Sequence, residues 1–151
     1  MRQFDGKVLI VTGGARGIGE GAARAFVQRG GRVVLADIDA ERGRALALEI
    51  GHAAVFQKCD VRDPADCQTV VQRAVAAFGT VDCLINSAIK MAPAPLADLA
   101  LEDWRTVIDV GEHDAPAALY EGARRRFADP ARAAGDDQDL PVELPHAQIA
   151  R

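Results

Sequence analysis

The chain has 151 residues, of which 49% are apolar and 26% are charged, and its formal net charge is -4 at pH 7. This length suits one soluble domain, and the acidic balance gives no electrostatic reason to expect a nucleic-acid partner. No run of about 18 apolar residues predicts a membrane span, and residues 1–6 lack the features of a signal peptide. We therefore expect a cytoplasmic protein with no membrane partner.

Apolar residues follow strand and helix periods in turn along the first 86 residues. Strands are predicted at "KVLIVT", "RVVLAD", "AAVFQKCD" and "VDCLIN", and helices at "IGEGAARAFVQR", "AERGRALALEI" and "PADCQTVVQRAVAAFG". Strands joined by helical crossovers must lie parallel, with helices on both faces of the sheet. The predicted class is open α/β, a doubly wound parallel sheet of about four strands.

The segment "TGGARGIG", residues 12–19, lies between the first strand and the first helix. Glycines at 13, 17 and 19 allow a tight turn, close approach of the backbone to a pyrophosphate, and close packing of helix on strand. The helix N-terminus then presents unpaired N–H groups to the phosphates. We predict a dinucleotide-binding loop formed by Gly13, Arg16, Gly17, Ile18 and Gly19. A merely structural turn is the alternative.

Asp37 ends the second predicted strand, at the same edge of the sheet as the glycine loop. A carboxylate at this position accepts hydrogen bonds from both hydroxyls of an adenosine ribose and repels a 2′-phosphate, which favours NAD over NADP as cofactor. Arg16 is a contrary signal, because its guanidinium could reach a phosphate. The alternative for Asp37 is a capping role for the helix that starts near Asp39.

Two further segments follow the third and fourth strands. Asp60 could hydrogen-bond an adenine amino group while Val61 packs on the ring, although a turn residue ending the strand is an open alternative for Asp60. Asn86 can tie neighbouring loops through its amide, and the small Ala88 lets a cofactor lie close. The cysteines and histidines lack metal-ligand spacing, so no metal site is predicted, and Cys59, Cys67 and Cys83 are interpreted as small buried thiols.

Taken in order, "TGGARGIG", Asp37, "CDV" and "INSA" resemble the amino-terminal half of the short-chain dehydrogenase/reductase family, over about residues 4–110. The resemblance implies a Rossmann-type fold and an NAD(P)-dependent oxidoreductase that interconverts a small-molecule alcohol and carbonyl by hydride transfer. Ser87 and Ile89 depart from the family's usual NNAG segment, and Ile89 is expected to narrow the space near the nicotinamide.

The family also uses a serine on a fifth strand and a YxxxK helix, and neither can be carried over to this chain. The sequence has no serine after Ser87 and no lysine after Lys90. Tyr120 and Arg124 have YxxxR spacing, which places them on one face of a helix. Because only one helix separates Tyr120 from the fourth strand, we interpret it as a surface residue and predict no catalytic residue.

Residues 111–151 differ in composition from the preceding part and are rich in alanine, arginine, aspartate, glycine and proline. We predict an incomplete dinucleotide-binding domain over residues 1–110 and a divergent, partly helical and partly disordered tail. The hypothesis is a truncation or reading-frame change near residue 110, which leaves the fourth strand as an apolar edge open to self-association. The alternatives to an active oxidoreductase are an inactive nucleotide-binding or interaction module and a non-functional truncated product.

Overall fold

The computed structural model describes residues 3–90 and 98–112. Their strands are β1 (Val8–Thr12), β2 (Arg32–Asp37), β3 (Ala54–Lys58) and β4 (Cys83–Asn86). Their helices are α1 (Gly17–Gln28), α2 (Ala40–Ile50), α3 (Pro64–Phe78) and α4 (Leu101–Glu112). The predicted alternation of strands and helices is confirmed through the fourth strand.

The four strands form one parallel sheet in the order β3-β2-β1-β4. Thr12 at the end of β1 pairs in register with Ala36 on one side and with Asn86 on the other. The carboxyl ends of the strands therefore meet at one edge of the sheet. The predicted class, an open α/β fold with about four parallel strands, is confirmed.

Successive side chains of β1 pack on opposite faces of the sheet. Leu9 and Val11 join a buried cluster with α1 and α2, whereas Ile10 joins a second cluster with α3. Burial of each such side chain contributes about 1.5–3 kcal/mol, and burial on both faces explains why β1 reads as a continuous apolar run. Helices therefore cover both faces of the sheet, as predicted.

Two of the three cysteines are buried in the α3-side cluster. Cys59 and Cys67 are 2% and 1% exposed, while Cys83 is half-buried, and all three are free thiols. A hydrogen bond with Cys67 and burial of the sulfur raise the pKa of the Cys59 thiol, so this thiol stays protonated at neutral pH. The interpretation as small buried thiols holds for Cys59 and Cys67.

Aspartates set the beginnings of α2 and α3. Asp39 accepts a hydrogen bond from the backbone N–H of Arg42, and Asp63 accepts one from that of Ala65. Pro64 follows at the first helical position of α3, where its missing N–H leaves no hydrogen bond unmade. These caps fix where the chain leaves the carboxyl edge of the sheet and enters each helix.

Within the described ranges β4 is an edge strand that pairs only with β1. Asp82 joins the two strands just before β4, because its carboxylate accepts hydrogen bonds from the backbone N–H of Val8 at 2.9 Å and from Lys7 Nζ at 2.8 Å. Ile85 is 36% exposed. Self-association through β4 stays a prediction.

The helix α4 ends at Glu112, two residues beyond the predicted domain boundary at residue 110. Gly111 therefore lies within the helix. The rest of the predicted tail, including Tyr120 and Arg124, lies outside the described residues. Among the helices that the structure describes, none is long and apolar enough to cross a membrane.

Candidate functional site

A cleft of about 530 Å³ opens at the carboxyl edge of the sheet. Eight of the ten predicted site residues line it: Gly13, Arg16, Gly17, Ile18, Asp37, Asp60, Val61 and Ala88. Gly19 and Asn86 are not among the lining residues. Because parallel strands end at the same edge, the loops after all four strands contribute to this one cleft.

Two glycines of the glycine loop have positive φ angles, and each serves a different purpose at the cleft. The φ values are 62° at Gly13 and 57° at Gly17, a region that side chains other than glycine rarely adopt. A Cβ on Gly13 would lie 2.6 Å from the carbonyl oxygen of Ser87, so this glycine lets the loops after β1 and β4 touch. A Cβ on Gly17 would meet no atom within 4 Å, which leaves the backbone open to a ligand.

Gly19 faces away from the cleft and into the protein. A Cβ at this position would overlap the carbonyl oxygen of Gly13 and lie 2.9 Å from its carbonyl carbon. Gly19 therefore holds α1 close to the loop and strand that precede it. The N-terminus of α1 has no side-chain cap, since Arg16 at the N-cap position does not accept a hydrogen bond from it. Its first N–H groups are free to bind an anion.

Asp37 is buried at the end of β2, with 9% of its surface exposed. Its Oδ2 accepts a hydrogen bond from the backbone N–H of Ala15 and its Oδ1 accepts one from that of Asp39, both at 3.0 Å. Asp39, rather than Asp37, caps α2. Each carboxylate oxygen keeps further acceptor capacity, so Asp37 can still receive hydroxyl donors from the cleft.

Arg16 and Arg42 each form an ion pair with a carboxylate. Arg16 forms an ion pair with Asp39. Arg42 donates from Nε to the carbonyl oxygen of Ala15 at 2.8 Å and from a terminal nitrogen to Glu20 at 3.2 Å. The guanidinium groups of Arg16 and Arg42 are therefore both paired within the protein.

Asp60 is engaged by its neighbour Arg62. The guanidinium donates to Asp60 Oδ2 at 2.7 Å, and the backbone N–H of Arg62 donates to Oδ1 at 3.0 Å. These contacts agree with the turn-residue alternative for Asp60, although the side chain also lines the cleft. Val61 lines the cleft as well and packs partly against the α3-side cluster.

Replacing Arg62 by alanine is expected to raise the pKa of the Asp60 carboxyl toward its ordinary value. Hydrogen bonding from Arg62 lowers the pKa of Asp60 in the folded protein. This pairing contributes stability above the pKa of the unfolded chain, and the contribution is lost as the pH falls through the lower folded-state value. A nuclear magnetic resonance titration of the Asp60 carboxyl carbon measures the shift. Arg73→Ala is the control, and an unchanged midpoint in Arg62→Ala would contradict the assignment.

The side chain of Thr12 joins the end of β1 to the loop after β4, and the role expected of Asn86 stays a prediction. The Thr12 hydroxyl oxygen accepts hydrogen bonds from the backbone N–H groups of Ser87 at 3.1 Å and Ala88 at 3.3 Å. The side chain of Asn86 is exposed and makes no hydrogen bond to another described residue. Thr12 is buried, so its hydroxyl is committed to this contact. The sequence shows a threonine at the end of β1. That its hydroxyl bonds to the loop after β4 follows only from the pairing of β1 with β4.

Residues that were not predicted as binding residues complete the cleft wall: Ile38, Cys59, Arg62, Ser87, Lys90 and Thr106. Ile89 also lines it and is 77% exposed, and the expected narrowing near the nicotinamide stays a prediction. Within residues 3–90 and 98–112, no group of three or more histidines, cysteines or carboxylates is placed to hold a metal. A glycine loop at a helix N-terminus beside a strand-ending carboxylate is the arrangement of a dinucleotide-binding α/β protein.

Comparison with known proteins identifies the family. A family model described as short chain dehydrogenase matches residues 7–113. L-fucose dehydrogenase of Oryctolagus cuniculus is 41% identical over 109 residues, which are 72% of this chain and 38% of that protein. The chain belongs to the short-chain dehydrogenase family, and the resemblance drawn from its motifs is confirmed.

Solved structures agree with this assignment. A short-chain dehydrogenase/reductase from Brucella melitensis named as glucose/ribitol dehydrogenase has a TM-score of 0.74 and 30% identity, covering 82% of this chain and 52% of that one. The 3-ketoacyl-(acyl-carrier-protein) reductase of the same organism, solved with NADH, has a TM-score of 0.72 and 31% identity, covering 79% and 49%. The chain thus spans about half the length of these structures and 38% of the length of the L-fucose dehydrogenase.

Proposed function

We propose that this chain binds NAD in the cleft at the carboxyl edge and represents the cofactor-binding part of an oxidoreductase acting on a small-molecule alcohol or carbonyl. The observation that carries the proposal is the contact between the glycine loop and Asp37, whose carboxylate accepts the N–H of Ala15 at 3.0 Å. This bond sets a pyrophosphate-binding backbone beside a ribose-binding carboxylate. The NADH complex of a structural relative supports the cofactor class.

The residues of the cleft fit the parts of a dinucleotide. The open backbone at Gly17 and the uncapped start of α1 suit the pyrophosphate. Asp37 suits the adenosine ribose, and Asp60 and Val61 suit the adenine. The small Ala88 leaves space for the nicotinamide ribose on the other side of β1. When bound, the nicotinamide supplies or accepts a hydride, and the protein orients it.

The charges at the adenosine end support NAD rather than NADP. Asp37 would repel a 2′-phosphate and is fixed in place by two backbone N–H groups. Arg16, the contrary signal in the sequence, is paired with Asp39. A 2′-phosphate would therefore meet a carboxylate at the position where the ribose hydroxyls of NAD find acceptors.

We further propose that residues 1–151 bind the cofactor without turning over a substrate. The observation that favours this binding-only function is that the sequence has no serine after Ser87 and no lysine after Lys90 for a Ser-Tyr-Lys set. In this proposal residues 1–110 form an incomplete domain, and the break near Gly111 is a truncation or a reading-frame change. The same proposal includes a cytoplasmic location and self-association through β4, without nucleic-acid or membrane partners.

Calorimetric titration of the purified, monodisperse chain with NAD⁺ and NADP⁺ tests the proposal. We expect saturable binding of NAD⁺ that is tighter than binding of NADP⁺, and no change in NADH absorbance when alcohols are added with NAD⁺. Failure of a well-folded chain to bind NAD⁺ would refute the cofactor site. Substrate-dependent formation of NADH would refute the binding-only function while leaving the cofactor site intact.

A further inference from the structure

A cluster of charged side chains lies around the adenosine end of the cleft. Arg16 lines the cleft and pairs with Asp39, and its side chain is 62% exposed. Arg42 is held separately by the carbonyl oxygen of Ala15 and by Glu20. Of these two arginines, Arg16 lines the cleft and Arg42 does not, and the ion pair of Arg16 is with Asp39.

The side chain and the backbone N–H of Asp39 make three contacts at the start of α2. Its Oδ1 accepts the backbone N–H of Arg42 at 3.1 Å, its Oδ2 holds the Arg16 guanidinium, and its own N–H donates to Asp37 Oδ1 at 3.0 Å. One residue thus joins the helix cap, the ribose-binding carboxylate and the arginine of the glycine loop. A change of charge at Asp39 can act on Arg16 without removing the cap.

We propose that Asp39 is a positioning residue that sets cofactor preference by withholding Arg16 from a 2′-phosphate. This inference rests on the proposed NAD site. The 2′-phosphate of NADP⁺ must compete with Asp39 for the Arg16 guanidinium, and the carboxylate of Asp39 repels a phosphate placed beside it. Arg42 is not among the residues that line the cleft, and its guanidinium is bonded to Ala15 and Glu20. NAD⁺ has no 2′-phosphate and does not compete with Asp39 for Arg16.

The substitution Asp39→Asn separates the charge of Asp39 from its structural contacts. Asparagine is as good an N-cap as aspartate, so the hydrogen bond from Arg42 and the start of α2 are retained. The negative charge that holds Arg16 is lost, and the guanidinium becomes available for a charge-assisted bond to phosphate. We expect the ratio of NADP⁺ to NAD⁺ affinity to rise about tenfold, which corresponds to ~1.4 kcal/mol.

Arg16→Ala tests whether the rise in the ratio of NADP⁺ to NAD⁺ affinity depends on Arg16. In the wild-type chain this substitution leaves the carboxylate of Asp39 unneutralised, so the ratio of NADP⁺ to NAD⁺ affinity is not expected to rise. In the Asp39→Asn background the same substitution is expected to remove the rise. Asp63→Asn is the matched control, since it makes the same change at the N-cap of α3, and it should leave the ratio unchanged.

Thermal unfolding first shows that each variant is folded. Calorimetric titration of the wild-type chain and all variants with NAD⁺ and NADP⁺ then tests the role of Asp39 in cofactor preference. An unchanged ratio in Asp39→Asn, with saturable NAD⁺ binding by the wild-type chain, would overturn this inference alone. A rise in the ratio that persists in the double variant Asp39→Asn/Arg16→Ala would also overturn the inference. The cause would then be the lost negative charge of Asp39 and not the release of Arg16. Absence of NAD⁺ binding by the folded wild-type chain would overturn the inference together with the proposed function.

Discussion

Replacing Gly19 by alanine is expected to lower the free energy of unfolding by about 3 kcal/mol, the upper part of the range for overpacking a close contact. The added Cβ would overlap the carbonyl oxygen of Gly13 and lie 3.1 Å from the Cα of Gly14. These are backbone atoms, so relief requires a shift of the glycine loop or of α1. We expect the same shift to weaken NAD⁺ binding at the proposed site, and denaturant unfolding and calorimetry measure the two effects.

Gly21→Ala is the matched control for this prediction. Gly21 lies in the same helix, but a Cβ there would meet no atom within 4 Å. Alanine is favoured over glycine inside a helix by about 1 kcal/mol, so this variant should be at least as stable as the wild type. If Gly19→Ala and Gly21→Ala gave the same stability, close packing at Gly19 would not be the reason for the glycine.

The strands and helices were predictable because each is indicated by residues within its own segment of the sequence. The continuous apolar run of β1 reflects burial on both faces of the sheet, and Pro64 after Asp63 marks the start of α3. The order β3-β2-β1-β4 was not predictable from periodicity. Residue patterns report which face of a strand is buried, but they do not report which strand lies beside it.

The candidate site was predictable to the extent that topology alone positions it. Residues that end or follow a strand, such as Asp37 and Val61, had to reach the same edge once the strands were parallel. Side-chain pairings were not predictable in this way. The bonds from the loop after β4 to Thr12, and the ion pair between Arg16 and Asp39, join segments that are distant in sequence. They depend on strand order and on the cap of α2, which only the structure provides.

Removing the carboxylate of Asp37 is expected to raise the dissociation constant for NAD⁺ about 100-fold. The proposed ribose site loses two hydrogen bonds to a charged group, each worth about 1.5 kcal/mol, and about 1.4 kcal/mol corresponds to a factor of ten. Asp37→Ala also leaves the N–H groups of Ala15 and Asp39 without their acceptor. We therefore expect a loss of about 1–3 kcal/mol in stability as well.

Two further variants separate binding from stability. Asp63→Ala removes a helix-capping carboxylate outside the cleft, so it should cost about 0.5–2 kcal/mol of stability and leave NAD⁺ affinity unchanged. Asp37→Asn keeps an acceptor but loses the charge, so it should weaken NAD⁺ binding less than alanine does and improve binding of NADP⁺. Calorimetric titration at a temperature where every variant is folded makes the comparison. Equal loss of NAD⁺ affinity in Asp37→Ala and Asp63→Ala would show that affinity follows stability, and the ribose-binding role of Asp37 would then be wrong.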